Sequence, residues 1–288
     1  MTIQNSIIHY SKILEEINND YKISFIEVHS ILMYVLNISK TQLISNSNNE
    51  LSEEEIINID SLINRRLKNE PLAYLLNKKE FYGYDFYVDE NVLIPRSETE
   101  ELVDLVKDYI DTNNLENCSI IDIGSGSGNI SITLKKLFRD INITALDISS
   151  NAIEVLKKNI DSLLDKNINI VNEDALKYIP QTKFDIVVSN APYVALRDKD
   201  TLQKDLDYEP NIALYSGYDG LDFYKSFLSK LEFYLKESAA FFFEIGYDQG
   251  DILLDITNSI GIKNVYIKKD LSGKDRFLVC ESFKYDRI

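Results

Sequence analysis

Ile121-Asp122-Ile123-Gly124-Ser125-Gly126-Ser127-Gly128 reads as an apolar strand that runs into a glycine turn and opens a helix. Glycines at 124, 126 and 128 let the backbone turn sharply and approach a ligand with no Cβ in the way, and the following helix offers its free amide groups. A nucleotide-like ligand fits such a loop; a turn with only a packing role is the competing reading. The pyrophosphate-binding spacing Gly-x-Gly-x-x-Gly needs glycine at 129, where this chain has Asn129, so a dinucleotide is disfavoured. Outward from the loop, strand and helix patterns alternate from Glu98 onward. Strands are expected at 119–123, 142–146, 168–171, 184–189 and 239–245, and helices at 130–138 and 150–163. Alternation of this kind builds a mostly parallel sheet with helices on both faces. The runs 265–269 and 277–281 are joined only by a short turn at Ser272 and Gly273, so they must pair antiparallel.

Upstream, apolar residues recur at helical spacing: Ile7, Tyr10, Ile13, Leu14 and Ile17, then Phe25, Val28, Ile31, Leu32 and Val35. A small helical bundle is expected over 1–78, with Ser52 capping a helix whose first turn carries Glu53, Glu54 and Glu55. Between 80 and 94 the period changes around Gly83. Asp89, Glu90 and Asn91 make a turn before Val92, and a β-hairpin is expected over the 79–96 linker, ahead of a third region at 97–288.

The formal net charge is −16, from 31 Lys+Arg against 47 Asp+Glu, which repels a bare nucleic-acid backbone and favours a protein or small-molecule substrate. The two cysteines, Cys118 and Cys280, lie in or beside apolar runs and read as reduced core thiols. The first residues lack the basic start and apolar block of a signal peptide, and no apolar run reaches membrane-spanning length. A soluble cytoplasmic protein, a monomer with no membrane or direct nucleic-acid partner, is expected. His9 and His29 fall in the helical segment, away from any Cys or acid cluster with ligand spacing, and no metal is expected.

Asp147 ends the second strand, where an acid takes the two ribose hydroxyls of a bound nucleoside; alone, such an acid is more often a helix cap, and Ser149 caps equally well. Asp174 and Ala175 follow the third strand, within reach of an adenine edge, although Asp174 also suits a plain turn. The fourth strand ends in Val188-Ser189-Asn190-Ala191-Pro192-Tyr193. This segment resembles the Asn-Pro-Pro-Tyr signature of amino-methyltransferases, with Ala191 in place of the first proline. An amide nitrogen is a poor nucleophile, because its lone pair is delocalised, so geometry must help it. The Asn190 side-chain oxygen and the Ala191 carbonyl are expected to accept the two hydrogens of an NH2 group, with Tyr193 expected as an aromatic wall over the amide. Pro192 still biases residue 191 to an extended backbone. Together with the closing hairpin, the glycine loop looks like that of Rossmann-like methyltransferases dependent on S-adenosylmethionine (AdoMet).

Over nearly its full length the chain resembles the release factor glutamine methyltransferases, the HemK/PrmC family. The match runs through Glu70-Pro71-Leu72-Ala73-Tyr74, Lys79-Glu80-Phe81-Tyr82-Gly83 and Leu93-Ile94-Pro95-Arg96-Ser97-Glu98-Thr99-Glu100-Glu101-Leu102. It continues at Tyr208-Glu209-Pro210, Asp219-Gly220-Leu221, Glu244-Ile245-Gly246 with Gln249-Gly250, and Asp275-Arg276. Ser97 stands where the family has proline, and a capping box with Glu100 is expected there. The resemblance implies an N-terminal helical bundle that docks the release factor, a hairpin linker, and a Rossmann-like catalytic domain with a mostly parallel seven-stranded sheet. It implies AdoMet held by Gly124, Ser125, Gly126, Ser127, Gly128, Asp147, Asp174, Ala175 and Asn190. Asn190, Ala191, Pro192 and Tyr193 would hold and methylate the glutamine of a Gly-Gly-Gln loop in a class-one release factor. Ala175 replaces a bulky aromatic of some relatives. Three rivals stand beside this reading: an adenine methyltransferase acting on DNA or RNA, which needs a basic face; a glutamine methyltransferase of another protein; and an AdoMet-binding remnant.

Overall fold

Apolar residues on alternate faces of four adjacent strands decide where this chain buries itself. The computed structural model describes residues 1–285. Among the described residues nine strands form in chain order: β1 (Lys79–Phe81), β2 (Tyr84–Phe86), β3 (Ser119–Ile123), β4 (Asn142–Asp147), β5 (Asn169–Asn172), β6 (Phe184–Ser189), β7 (Leu235–Glu244), β8 (Ile262–Lys269) and β9 (Asp275–Tyr285). The last seven make one sheet in the order β5-β4-β3-β6-β7-β9-β8. β5, β4, β3, β6 and β7 run parallel, whereas β9 is antiparallel to both β7 and β8. The expected Rossmann-like sheet with a closing hairpin is therefore the observed one.

Period-two alternation sends Ile120, Ile186, Val188, Phe242 and Val279 into one buried layer and Ile121, Ile123, Val187, Phe241, Phe243 and Leu278 into the other. A sheet apolar on both faces needs a cover on each. The first layer is covered by residues following Ser97 and the glycine loop, among them Leu102, Val106, Ile130, Leu156 and Ile160; the second by Tyr224, Phe227, Leu231, Tyr234 and Leu253. β7 begins at Leu235, earlier than expected, because a pairing irregularity between Phe184 and Ile186 lets Leu235 and then Ala240 both pair with β6.

By its internal contacts the chain divides into two units: residues 1–78 with 203–208, and residues 79–202 with 209–288. The first holds α1 (Ile3–Asn18), α2 (Tyr21–Leu36), α3 (Lys40–Ser45), α4 (Glu53–Arg66) and α5 (Leu72–Leu75). Leu14, Val28, Ile31, Leu32 and Ile59 are fully buried at its centre. Ser52 caps α4 as expected, in a reciprocal box: the Glu55 N–H donates to Ser52 Oγ (3.2 Å) and the Ser52 N–H to Glu55 Oε2 (2.7 Å).

In the second unit, two expectations need correction. The hairpin is tighter than foreseen: β1 and β2 turn on Tyr82 and Gly83, both at positive φ (52° and 75°), and Val92 to Ile94 form no strand. Ser97 does not make a capping box. Its backbone is helical (φ −62°, ψ −35°) rather than extended, and Glu100 accepts instead from the Tyr82 N–H at 2.7 Å. α6 (Glu98–Asn113) thus starts without a side-chain cap.

Candidate active site

The chain leaves β3 for β4 and β5 on one side, then returns to place β6 on the other side of β3. Such a reversal opens a crevice beyond the carboxyl ends of the strands. Gly124 follows β3, Asp147 ends β4, Asp174 and Ala175 follow β5, and Asn190 follows β6, so the sequence-predicted residues meet at that one edge. A cavity of about 400 Å³ lies there, lined by Gly124, Gly126, Asp147, Asp174, Ala175, Asn190, Ala191 and Pro192. Its size is that of a small-molecule site.

The glycine loop is held from below. The amides of Gly124 and Ser125 both donate to the Leu146 carbonyl, at 2.8 and 3.0 Å. Gly124, Gly126 and Gly128 all take positive φ (72°, 52° and 81°), a conformation costly for any residue with a side chain. Gly128 faces away from the cavity: a Cβ there would come within 2.3 Å of Leu156 Cδ1. As N-cap of α7 (Asn129–Leu137) it also brings no side chain to the free amides, and Asp122 caps the helix from the strand, accepting from the Ser131 N–H (3.2 Å) and hydroxyl. Ser125 and Ser127 are likewise buried and do not line the cavity.

Asp147 does two things. Its Oδ2 accepts the Gly126 N–H (2.8 Å) and its Oδ1 the Ser149 N–H (2.9 Å), so it clamps the glycine loop as well as facing the cavity. Burial pushes its carboxyl above the ordinary range, and those two amides pull it partly back. Ser149 caps α8 (Ser150–Leu163) by accepting from the Ala152 N–H at 3.2 Å. Asp174 also takes the turn role foreseen for it, accepting from the Leu176 N–H at 2.9 Å.

At the end of β6, the Asn190 Nδ2 donates to Thr99 Oγ1 (2.9 Å) and Thr99 donates to Glu244 Oε2 (2.7 Å). The Tyr193 hydroxyl donates to Glu244 Oε1 (3.0 Å), and the Tyr193 carbonyl accepts from Gln249 Nε2 (2.9 Å). Tyr193 therefore does not stand in the cavity lining as an aromatic wall; its hydroxyl is tied to Glu244 at the end of β7. Glu244 is 1% exposed. Burial raises its carboxyl above the usual range, while Thr99, Tyr193 and Arg276 favour the charged form. Sequence reasoning did not single out Thr99 or Glu244. Both lie inside segments that carry the family resemblance, which was the available signal. Two wall segments were also missed: Asn91 to Leu93, and Ile212, Ala213 and Tyr215 to Gly217 with Asp222 and Phe223. Among the described residues no cluster of His, Cys, Asp and Glu is gathered for a metal ion, and no helix is long and apolar enough to cross a membrane.

Comparison with known proteins agrees with this architecture. A profile described as the PrmC N-terminal domain matches residues 8–76, and one described as the methyltransferase small domain matches residues 103–206. The release factor glutamine methyltransferase of Clostridium acetobutylicum is 36% identical over 283 residues, covering 97% of this chain and 98% of that protein. The protein of the same name from Leptospira interrogans is 37% identical over 259 residues, covering 88% and 90%. Among solved structures, the hMettl16 catalytic domain aligns at a TM-score of 0.58 with 17% identity, over 82% of this chain and 84% of that one. A methyltransferase from Pyrococcus furiosus aligns at 0.51 with 17% identity, over 78% and 98%. At that identity the structures speak for the fold alone; the sequence relatives, matched end to end, go further. The chain belongs to the family of release factor glutamine methyltransferases.

Proposed function

We propose that this protein transfers a methyl group from AdoMet to the side-chain amide nitrogen of the glutamine in the Gly-Gly-Gln loop of a class-one release factor. The observation that carries the reading is the convergence of the glycine loop, Asp147 and Asn190 on one cavity at the switch of strand order. The cavity fits the cofactor. Each Asp147 oxygen accepts one backbone N–H, and a carboxylate offers about four acceptor positions, so two remain for a pair of ribose hydroxyls. Gly124 and Gly126 present bare backbone to the cavity, and Ala175, Ile148 and Leu176 give it an apolar wall suited to an adenine. When bound, the sulfonium supplies an electrophilic methyl group.

The chain's own task is to orient the nucleophile. Asn190 Oδ1 and the Ala191 carbonyl each accept one hydrogen of the substrate NH2, which fixes the amide plane and turns the nitrogen lone pair toward the methyl. Ala191 keeps the carbonyl that a proline would offer, and Pro192 holds the preceding backbone extended. Neither acceptor ionises, and water removes the proton that the nitrogen sheds. In this reading residues 1–78 receive the release factor, 79–96 link, and 97–288 catalyse. The protein works as a cytoplasmic monomer with no nucleic-acid partner, and its acidic balance supports the last of these.

Mass spectrometry of a release factor incubated with the protein and AdoMet, beside a duplex DNA control, tests it. One added methyl on the Gly-Gly-Gln glutamine is the expected result. An unmodified peptide with methylated adenine in the DNA would overturn it.

A further inference from the structure

Asn190 can present either end of its amide to the cavity, and only the oxygen can accept a substrate N–H. Its Nδ2 is spent on Thr99 Oγ1, 2.9 Å away. Thr99 is 1% exposed and Glu244 is 1% exposed, so neither trades its partner for water. A hydroxyl has one hydrogen, and Thr99 gives it to the Glu244 carboxylate at 2.7 Å. Thr99 can then only accept, and what it accepts must be an N–H. We infer that Thr99 and Glu244 are positioning residues for Asn190. The buried carboxylate sets the direction of the chain from Asn190 through Thr99 to Glu244, and so compels Asn190 to turn its oxygen, not its nitrogen, to the substrate.

The same carboxylate accepts the Tyr193 hydroxyl on its other oxygen at 3.0 Å. One side chain at the end of β7 therefore holds both ends of the segment from Asn190 to Tyr193, while the backbone of Tyr193 is held separately by Gln249 Nε2. Reversal of the Asn190 amide would set its NH2 against the substrate NH2 and a lone pair against the Thr99 lone pairs. Both contacts are repulsive, so the relay removes one of two otherwise near-equal rotamers before substrate arrives.

This inference rests on the proposed role of Asn190 as acceptor, and two readouts keep the two apart. The first needs no substrate. In the intact protein labelled with nitrogen-15, hydrogen exchange of the Asn190 side-chain NH2 should be slowed relative to exposed asparagines, and Thr99→Val should release it. Exchange at the exposed-asparagine rate in the wild type would overturn the relay, whatever reaction the enzyme performs. The second is kinetic, with a release factor as substrate. Thr99→Val should lower kcat by roughly fivefold or more while AdoMet affinity stays within twofold, and Thr99→Ser, which keeps the hydroxyl, should restore kcat to within twofold of wild type. A Thr99→Val enzyme with unchanged kcat overturns the relay, as does a Thr99→Ser enzyme as impaired as the valine variant. If the valine variant does not fold, the exchange rate in the wild type and the kcat of the serine variant decide. A wild type that leaves the release factor unmodified sinks the substrate assignment and leaves the exchange result to judge the relay.

Discussion

Two carboxylates under the glycine loop show how burial divides roles among residues of one type. Asp147 faces the cavity and is steadied by two backbone amides. Asp122, one strand inward, is fully buried and, among the described residues, accepts only from Ser131 and leaves Oδ1 without a partner. Its carboxyl is pushed up to about 7, chiefly by burial and further by the charge of Asp147, against the pull of the Ser131 hydrogen bonds. The folded state thus holds this proton more tightly than the unfolded chain, whose value is 3.8. Its contribution to stability is complete below that lower value and is lost as pH rises through the folded one, because the native state must then house an unpaired charge. Asp122→Asn removes that charge. Urea unfolding should find the variant equal to or less stable than wild type near pH 5 and gaining on it by a few kcal/mol towards pH 8. Parallel pH profiles for the two proteins would show that Asp122 does not titrate in this window. The sequence marks Asp122 only as a polar residue in an apolar strand, since nothing local reveals that its sole donors come from the helix beyond the loop.

Elements were legible where their signals were local and less so where a distant residue intervened. The strands at 119–123 and 184–189 and the helix at 150–163 stand where their apolar spacing put them. The Ser97 capping box failed because Glu100 was already engaged by the turn of the β1–β2 hairpin. The site divides the same way: glycines and strand-end polar residues were readable, whereas Thr99 and Glu244, 145 positions apart, meet only after the sheet forms. The glycine loop allows backbone conformation to be separated from packing. Gly124 and Gly128 have similar φ (72° and 81°), yet a Cβ at 124 meets nothing within 4 Å, while at 128 it collides with Leu156 and comes within 3.0 Å of Ile132 Cδ1. Gly124→Ala should cost roughly 1–2 kcal/mol from the left-handed backbone alone. Gly128→Ala should cost about 2–4 kcal/mol, because overpacking between α7 and α8 is added to it. Denaturant midpoints for the two variants measure the difference, and equal losses would mean that Leu156 gives way freely.

On the scale of the whole molecule, the sequence showed a helical region followed by an alternating one, but it held no sign that residues 203–208 cluster with the first 78. That assignment comes from contacts made far along the chain, which no periodicity records. The charge balance, in contrast, is legible from composition and belongs to no single element. A net charge of −16 surrounds the molecule with a negative field that favours approach of a partner through its basic surface. Such steering acts on encounter, not on a bound complex, and salt screens it: the Debye length falls from about 10 Å at 0.1 M to about 3 Å at 1 M ionic strength. Methylation of a release factor should therefore lose kcat/KM as salt rises, by roughly tenfold or more across that range, while kcat at saturating substrate changes little. AdoMet affinity, measured separately by calorimetry, should change far less, since its cavity is lined largely by apolar and neutral groups and its three carboxylates, Asp147, Asp174 and Asp222, act within contact range, where salt screens weakly. If kcat/KM is insensitive to salt, the acidic surface plays no part in capture and docking depends on apolar contact instead. If kcat falls in step with kcat/KM, salt is acting on the bound complex, and the steering argument fails for a different reason.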